Sequence, residues 1–403
     1  MKIGYLYVEQ KRKMKKTILS LALACLTGLS AQAQLNGDGY YRIQNAITKR
    51  YMSLTDNHSD GVNYNNTSIE AAALLTIMNW DEVVTDPGTI FYIEKVGNEY
   101  NLKGQGIDMH GMIGYYICLV QKGEFYLATQ TQKGVTVYLN DDWDFTKGEN
   151  LGHVLSIGSA TKAWSIKPVN TDNNYLGVKP IVKANGKYYA SFYAGYPVSA
   201  ASEGITFYYI SSVDENNGVV KYKKIEGTVP AATPVLIECS SDNPADNKLK
   251  VETQDAAKIQ GNKLTGTYFG IGSDLTAHYN FIKFDANSMR YLGVGANGEL
   301  TFNNSDQYMS NVLEPIPGED DSDYYPTVKA IPHNTGFLKV SSNCPKELKM
   351  ELETSGIKDI VADDNKPANI YNLNGMIVRK GATTVENLPK GVYIFKNKKV
   401  VVK

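Results

Sequence analysis

Short alternating runs of apolar and polar residues dominate the chain after its N-terminal segment. Runs such as 187–193 and 204–210 are rich in Tyr, Val, Ile and Thr, which favour pleated strands. Turn-forming dipeptides separate these runs at Lys122-Gly123, Asn185-Gly186, Asn217-Gly218 and Asn297-Gly298. Outside the N-terminal segment, the one candidate for a helix is 68–80, where Ser68 and Glu70 precede an alanine-rich run. The pattern therefore predicts an all-β protein.

A loose internal repeat runs through the first block, residues 36–180. In each unit an aromatic-x-Ile strand is followed, nine to eleven residues later, by a second strand that opens with Tyr. The three pairs of opening residues are Tyr41 with Tyr51, Phe91 with Tyr100, and Trp164 with Tyr175. Such spacing is typical of hairpins arranged around a shared core.

The opening of this block carries a family resemblance. Its motifs Tyr-x-Ile-x-Asn and Lys-Arg-Tyr-Met-x-Leu, within 41–54, resemble the start of a ricin-like β-trefoil repeat. The resemblance implies an N-terminal β-trefoil and, as in that family, a capacity for sugar binding. The family's Gln-x-Trp signature is not found in the sequence and the units are unequally spaced. A six- or seven-stranded sandwich is therefore the alternative.

The second block, residues 181–350, contains one phrase twice. The segments 229–237 and 331–339 lie 102 residues apart, and each places a proline ahead of an apolar run. Because proline cannot donate within a strand ladder, both segments predict a turn that leads into a strand. Together with 187–193, the first phrase resembles a recurrent β domain of secreted Bacteroidetes surface proteins. The resemblance implies a central β-sandwich domain of unknown function.

The third block, residues 356–403, predicts strand, Asn-Gly turn, strand, Lys-Gly turn and two closing strands, which together would form a small antiparallel sandwich. It resembles the C-terminal sorting domain of type IX secretion cargo. The residues that carry this resemblance are Tyr371, Leu373, Gly375, Gly391, Tyr393 and Lys403. The resemblance implies that the secretion machinery is a partner of this module, and an ordinary terminal β domain is the alternative.

The N-terminal segment has the three parts of a signal peptide. Lysines follow Met14, an apolar run covers 18–29, and the small residues of 30–33 provide an A-x-A cleavage site between Ala33 and Gln34. Residues 1–13 form an upstream extension of this 1–33 segment. Lipidation at Cys25 is the alternative to cleavage after Ala33. Because the apolar run is too short to span a bilayer, no transmembrane helix is predicted in the mature chain.

Charge excludes nucleic acid as an expected partner. Without residues 1–33 the chain carries 35 Lys+Arg against 41 Asp+Glu, with no long basic block. Binding to a phosphate backbone demands a basic footprint, which a mildly acidic body lacks.

Motifs for catalysis and cofactors are scarce. The sequence contains no H-E-x-x-H, G-x-S-x-G or P-loop pattern. A literal G-x-G-x-x-G at 293–298 precedes an alternating run, so it predicts a hairpin turn and not a dinucleotide site. The acidic stretch 318–323 lacks the EF-hand order and predicts a solvated loop. No catalytic residue, cofactor or metal site is therefore predicted.

The best sequence candidate for a ligand site is the run Asp141, Asp142, Trp143 and Asp144. Carboxylates bind sugar hydroxyls and an indole ring packs against sugar C–H groups. A surface turn with a partly buried tryptophan is the alternative, as it is for 80–82.

These features predict an exported protein, at the outer cell surface or extracellular, that binds a glycan or an extracellular protein without catalysis. The glycan or host-matrix site is expected in the first block. A structural or adhesin subunit and an unrecognised hydrolase are the alternatives.

Overall fold

The structure is a computed structural model that describes residues 35, 37–54, 75–78, 83–108, 116–122, 125–132, 135–141, 156–157, 163–268, 281–314, 326–353, 367–396 and 398–402. Strands dominate these residues, and the helices among them are the short 3-10 turns Val83–Thr85, Pro87–Thr89 and Pro244–Asp246. The all-β prediction is confirmed. The chain divides into two compact units, 1–352 and 353–403.

The first eleven strands form one sheet. They are β1 Gly39–Asn45, β2 Tyr51–Leu54, β3 Leu75–Met78, β4 Ile90–Val96, β5 Glu99–Gly104, β6 Ile107–Asp108, β7 Tyr116–Lys122, β8 Phe125–Gln132, β9 Val135–Asn140, β10 Ser156–Ile157 and β11 Ala163–Pro168. The predicted helix over 68–80 is wrong at 75–78, because β3 pairs with β2 along four residues. Alanine-rich helix propensity is a weak preference that such pairing overrides.

Six of these strands close into a ring. Antiparallel pairings join β1 to β4, β4 to β5, β5 to β7, β7 to β8, β8 to β11, and β11 back to β1. The remaining strands lie in three connections between ring strands. The connection from β1 to β4 contains β2 and β3, that from β5 to β7 contains β6, and that from β8 to β11 contains β9 and β10. The paired strands therefore form a closed six-stranded ring with one strand-bearing connection in each third. The N-terminal β-trefoil and membership of the ricin-like family stay predictions.

Barrel closure groups the strands differently from the predicted repeat. The three aromatic-x-Ile strands are β4, β1 and β11, which are consecutive neighbours around the ring. Their alternation directs the aromatic and Ile side chains to one buried face, and those side chains are Tyr41, Ile43, Phe91, Ile93, Trp164 and Ile166. Their partners in the predicted pairs are scattered, since Tyr51 lies on β2, Tyr100 on β5 and Tyr175 outside the barrel. The similar spacing of the three aromatic-x-Ile strands therefore reflects side chains that share one core, and not three repeated hairpins.

The next fifteen strands form a ten-stranded sheet, a three-stranded sheet and a two-stranded sheet. They are β12 Leu176–Gly177, β13 Val182–Ala184, β14 Lys187–Phe192, β15 Val198–Ala200, β16 Thr206–Asp214, β17 Val219–Ile225, β18 Val235–Cys239, β19 Lys248–Val251, β20 Leu264–Thr267, β21 Met289–Val294, β22 Leu300–Asn303, β23 Ser310–Leu313, β24 Thr327–Ala330, β25 Thr335–Lys339 and β26 Glu347–Leu352. The large sheet has the order β13-β14-β18-β16-β17-β26-β22-β21-β25-β20, and β12-β19-β15 forms the three-stranded sheet.

Burial on both faces explains the continuous apolar run of β18. Leu236 belongs to the core inside the large sheet, whereas Val235 and Ile237 belong to the core that the three-stranded sheet covers. This second core also contains Ile90 and Val169 from the barrel end of the chain. The barrel and the sheets therefore share buried apolar surface within unit 1–352.

Four predicted turns are confirmed. Asn185 and Gly186 both have positive φ (50° and 77°) between β13 and β14, as a type I′ hairpin requires. The segment 293–298 joins β21 to β22, which pair through Val294 and Leu300, so the glycine pattern is a hairpin. The two repeated phrases are turns that lead into β18 and β25, and each holds a left-handed residue at the equivalent position, Ala232 and Asn334.

The unit 353–403 contains β27 Ala368–Asn372, β28 Ile377–Ala382, β29 Gly391–Phe395 and β30 Lys398–Val402, in the order β28-β27-β29-β30. Its described strands form one antiparallel sheet, where the sequence predicted two packed sheets. Its small core consists of Ile370, Ala382, Leu388, Tyr393 and Phe395.

Candidate functional site

Asp141, the first residue of the predicted acidic site, is buried. Its Oδ1 lies 3.1 Å from Arg50 Nη2, with both side chains 2% exposed or less, and its Oδ2 accepts a hydrogen bond from the Thr48 hydroxyl. Both partners belong to the turn between β1 and β2, so the carboxylate ties this turn to the end of β9. Its two oxygens are therefore engaged by the protein. Asp142, Trp143 and Asp144 lie outside the described residues, as do 80–82 and 318–323.

The residues of the predicted sorting motif form parts of the four-stranded sheet. Tyr371 is on β27 and Tyr393 on β29, where the Tyr393 hydroxyl donates to Pro389 O at 2.9 Å. Gly375 has a φ of 76° in the turn after β27, and Leu373 in the same turn is 61% exposed. A Cβ on Gly391 would lie 3.3 Å from the Tyr393 hydroxyl, so the small residue accommodates that ring. Ala33, Gln34 and Lys403 lie outside the described residues.

A cavity of about 260 Å³ lies where the 83–90 segment of the barrel meets the ten-stranded sheet. We call it the junction cavity. Its lining comes from the first two 3-10 turns, the segment around β12, strands β14 and β21, the start of β23, and the β24–β25 turn. The lining residues are Thr85, Pro87, Gly177, Val178, Lys179, Ile181, Ala190, Ser191, Phe192, Tyr291, Tyr308, Ser310, Pro332, His333, Asn334 and Thr335.

Two polar atoms of the lining residues are buried without a hydrogen-bond partner among the described residues. They are the Tyr291 hydroxyl and Asn334 Oδ1, on side chains that belong to residues 1% and 4% exposed. An unsatisfied buried polar group costs about 1–3 kcal/mol.

Asn334 is held in one orientation by Tyr193. The Asn334 Nδ2 donates to Tyr193 O at 3.1 Å, and Tyr193 N donates to Asn334 O at 2.7 Å. The residue has a φ of 54°, a left-handed conformation that asparagine tolerates better than most side chains. Because the amide nitrogen is engaged, the free atom of the side chain is an acceptor.

Tyr291 is neutral at ordinary pH. Burial raises the pKa of its hydroxyl above the ordinary value, and the nearby Thr335 and Ser191 hydroxyls oppose this rise. Neither hydroxyl forms a hydrogen bond of normal geometry with it. The Tyr291 hydroxyl is therefore a neutral, buried group beside the Thr335 and Ser191 hydroxyls.

The Ser191 hydroxyl is committed to the fold. It donates to Gly336 O and accepts from Gly336 N, both at 2.8 Å, and so joins β14 to β25. His333 Nε2 lies 3.9 Å from Oδ1 of buried Asp86, whose carboxylate also accepts hydrogen bonds from the Ser53 hydroxyl at 2.7 Å and from Gly88 N at 2.8 Å. The histidine therefore stands between the cavity and a carboxylate that caps the 3-10 turn Pro87–Thr89.

The barrel side of the cavity is anchored by Arg42, which is fully buried. Its Nε donates to the Thr89 hydroxyl at 2.8 Å, and its Nη2 donates to Val83 O at 2.9 Å. Its Nη1 donates to Asn174 Oδ1 at 2.6 Å and to Tyr175 O at 2.8 Å. Burial lowers the Arg42 pKa to about 10, while neighbouring groups, including Asp86, oppose this shift.

Lining residues carry little charge. Among them only exposed Lys179 and half-buried His333 have basic side chains, and none has a carboxylate. A site of neutral hydroxyl and amide groups beside Phe192 and Tyr308 suits an uncharged polar ligand.

The sequence contained a signal for this site. The two repeated phrases align Ala231-Ala232 with His333-Asn334. The second phrase has polar residues where the first has alanines. Formation of the following strand does not require these polar side chains, so the difference between the phrases indicates another role for them. Tyr291 gives no such signal, because tyrosine is common in the strands.

Comparisons with family models, curated proteins and solved structures find no match to this chain. Among the described residues no helix is long and apolar enough to cross a membrane.

Proposed function

We propose that this protein is an exported, non-catalytic binding protein of the outer cell surface or extracellular space, and that it recognises a glycan. The observation that supports this most directly is the junction cavity, whose lining combines neutral hydroxyl and amide atoms with the rings of Phe192 and Tyr308. Sugars offer many hydroxyl groups for such atoms and C–H faces for aromatic rings. This location differs from the acidic run 141–144 that the sequence favoured.

A non-catalytic role is supported by the hydrogen bonds that already engage the polar side chains near the cavity. The only hydroxyl on β14 at the cavity, that of Ser191, is held by Gly336 and is not aligned with a base. Buried Asp86 already accepts two hydrogen bonds. The closeness of His333 to Asp86 favours a hydrolase as the second candidate, with His333 as a general base that activates water.

A binding screen tests the function. The chain from residue 34 onward is applied to a glycan array and to immobilised extracellular matrix proteins, and the same sample is assayed for glycoside hydrolysis. Saturable glycan binding without turnover is expected. Binding to matrix protein with silence on glycans would favour the adhesin alternative, and turnover that His333→Ala abolishes would establish the hydrolase.

The export route is proposed from the C-terminal resemblance. Deletion of 356–403 removes the whole four-stranded sheet and leaves the other compact unit intact. We expect the truncated chain to accumulate in the periplasm, measured by fractionation and surface proteolysis of the producing cell. Substitution of exposed Leu373 by Ser serves as a milder variant that preserves the sheet. Normal surface display of the deletion would refute the sorting role.

A further inference from the structure

The sheet of the unit 353–403 has its core on one face only. Ile370 on β27 and both Tyr393 and Phe395 on β29 belong to this core. Because side chains alternate along a strand, the residues next to these three project to the opposite face. We call the opposite face the outer face. Its composition decides what the sheet can contact.

The outer face is apolar on all four strands. Tyr371 on β27 pairs with Ile377 on β28 and with Ile394 on β29. Val392 on β29 pairs with Val401 on β30. Paired residues of antiparallel strands project to the same face, so these side chains lie side by side. Ile377 is 46% exposed and Val401 is 59% exposed, and the other three are half-buried.

Exposed apolar side chains are concentrated in this unit. Of the ten most exposed large apolar side chains among the described residues, five lie within 373–401. Besides Ile377 and Val401 these are Leu373, Met376 and Val378, which lie in or beside the β27–β28 turn. The described strands of the unit provide no second sheet to cover them. A cluster of exposed apolar residues marks an interaction site.

The same unit is strongly basic. Residues 367–402 contain six Lys or Arg residues and one acidic residue, Glu386, although the chain from residue 34 onward has fewer basic than acidic residues. Four of the six lie on the two edge strands of the sheet, and these are Arg379, Lys380, Lys398 and Lys399. Lys399 pairs with Ile394 and so projects to the outer face. Positive charge therefore borders the apolar rows at both edges.

Charge decides between two ways to cover this face. A second copy of the sheet would bring the same excess of positive charge against it, and like charges repel. An anionic bilayer surface matches both features, because lipid phosphates attract Lys and Arg while apolar side chains enter the boundary between headgroups and acyl chains. The combination of an apolar face with basic edges therefore favours lipid.

We propose that the outer face of the C-terminal sheet docks on the surface of an anionic lipid bilayer. Ile377 and Val401 enter the boundary between headgroups and acyl chains, and the basic residues of β28 and β30 contact the headgroups. The sheet lies on the bilayer and does not cross it. This inference does not rest on glycan binding and adds a second class of partner.

Co-sedimentation with lipid vesicles tests this inference on the chain from residue 34 onward. One set of vesicles contains phosphatidylcholine alone, and the other contains about 30% phosphatidylglycerol, which makes its surface negative. We expect binding to the anionic vesicles and little to the neutral ones. Raising the NaCl concentration from about 0.05 M to about 0.5 M should weaken the binding, because salt screens the attraction. Equal binding to both kinds of vesicle, or binding to neither, would overturn the proposal.

Two double variants separate the apolar from the basic contribution. Ile377→Thr with Val401→Thr keeps branched side chains that favour strands and removes apolar surface, so the affinity should fall about tenfold. Lys398→Gln with Lys399→Gln removes two charges and should lower the affinity about fivefold for each. Unchanged affinity in both double variants would contradict the assignment to the outer face.

Matched controls come from the other compact unit. Val96→Thr changes an apolar residue that is 49% exposed on β4. Lys339→Gln with Lys349→Gln removes two exposed charges, one from β25 and one from β26. Neither control should alter vesicle binding. Far-UV circular dichroism of each variant verifies that the sheets remain folded.

Self-association is the competing outcome, and sedimentation equilibrium without lipid measures it. A dimer that Ile377→Thr with Val401→Thr abolishes would assign the outer face to a second copy and overturn the lipid proposal. We expect a monomer that binds anionic vesicles and loses this binding in both double variants. Deletion of 356–403 should abolish vesicle binding and leave glycan binding intact, so failure of one proposal is distinguishable from failure of the other.

Discussion

Two sets of buried polar groups near the barrel–sheet junction differ in whether their atoms have hydrogen-bond partners. On the barrel side the three nitrogens of Arg42 make four hydrogen bonds to described residues, and the Tyr196 hydroxyl donates to Pro87 O at 3.0 Å. On the cavity side the Tyr291 hydroxyl and Asn334 Oδ1 have none. Paired groups stabilise the fold, whereas an unpaired buried group costs free energy.

The largest expected effect comes from breaking the paired side. Arg42→Met should destabilise the protein by about 3–5 kcal/mol, since it removes four hydrogen bonds at a buried site, including the donor to Tyr175 O. The free energy of unfolding in urea measures this loss. Arg42→Lys, which keeps a charge but lacks the planar fork, should recover only part of it. A loss below about 1 kcal/mol for Arg42→Met would show that the network is not structural.

A matched pair of tyrosines sharpens the comparison with a smaller effect. Tyr196→Phe removes one of the two hydrogen bonds to Pro87 O, which keeps the bond from Ile90 N, and should cost about 0.5–1.5 kcal/mol. Tyr291→Phe removes an unpaired hydroxyl from an equally buried ring and should leave the unliganded protein as stable or more stable. Thermal denaturation without ligand distinguishes the two. Equal destabilisation by both changes would mean that Tyr291 has a partner in the folded protein.

The smallest expected effect appears at alkaline pH. Burial, followed by the charge of Glu238, raises the pKa of Tyr208 to about 12, and burial raises that of Tyr40 to about 12. Each folded-state pKa lies above the unfolded value of about 10. The two tyrosines therefore contribute their full stabilisation below about pH 10, and this contribution is lost as the pH rises towards 12. The loss should be on the order of 1 kcal/mol for each tyrosine after screening.

Urea unfolding at about pH 9 and about pH 11 measures this slope. Tyr208→Phe should flatten it, and Tyr138→Phe, at an exposed position, should not. The lowered pKa of Arg42 acts in the opposite direction, because its neutral form is favoured by burial. An unchanged slope in Tyr208→Phe would exclude this tyrosine as the cause.

Local patterns in the sequence predicted much of the strand and turn structure, but not which strands pair with each other. The aromatic-x-Ile runs became β1, β4 and β11, yet their pairing around the ring joined residues more than a hundred positions apart, as Ile43 and Ile166 show. Asp141 looked like a surface ligand beside Trp143, and its burial against Arg50 depends on where β9 ends relative to the β1–β2 turn. Neither relation is encoded in neighbouring residues.

By itself the sequence determined the all-β class, the hairpins at Asn185-Gly186 and Asn297-Gly298, and the turn-to-strand form of the two repeated phrases, since alternation and positive-φ residues act over a few positions. Only the tertiary structure decided that the ring closes and that Tyr291 and Asn334 line one cavity. Such proximity arises from strand pairing between distant segments, which hydrophobic spacing alone does not specify.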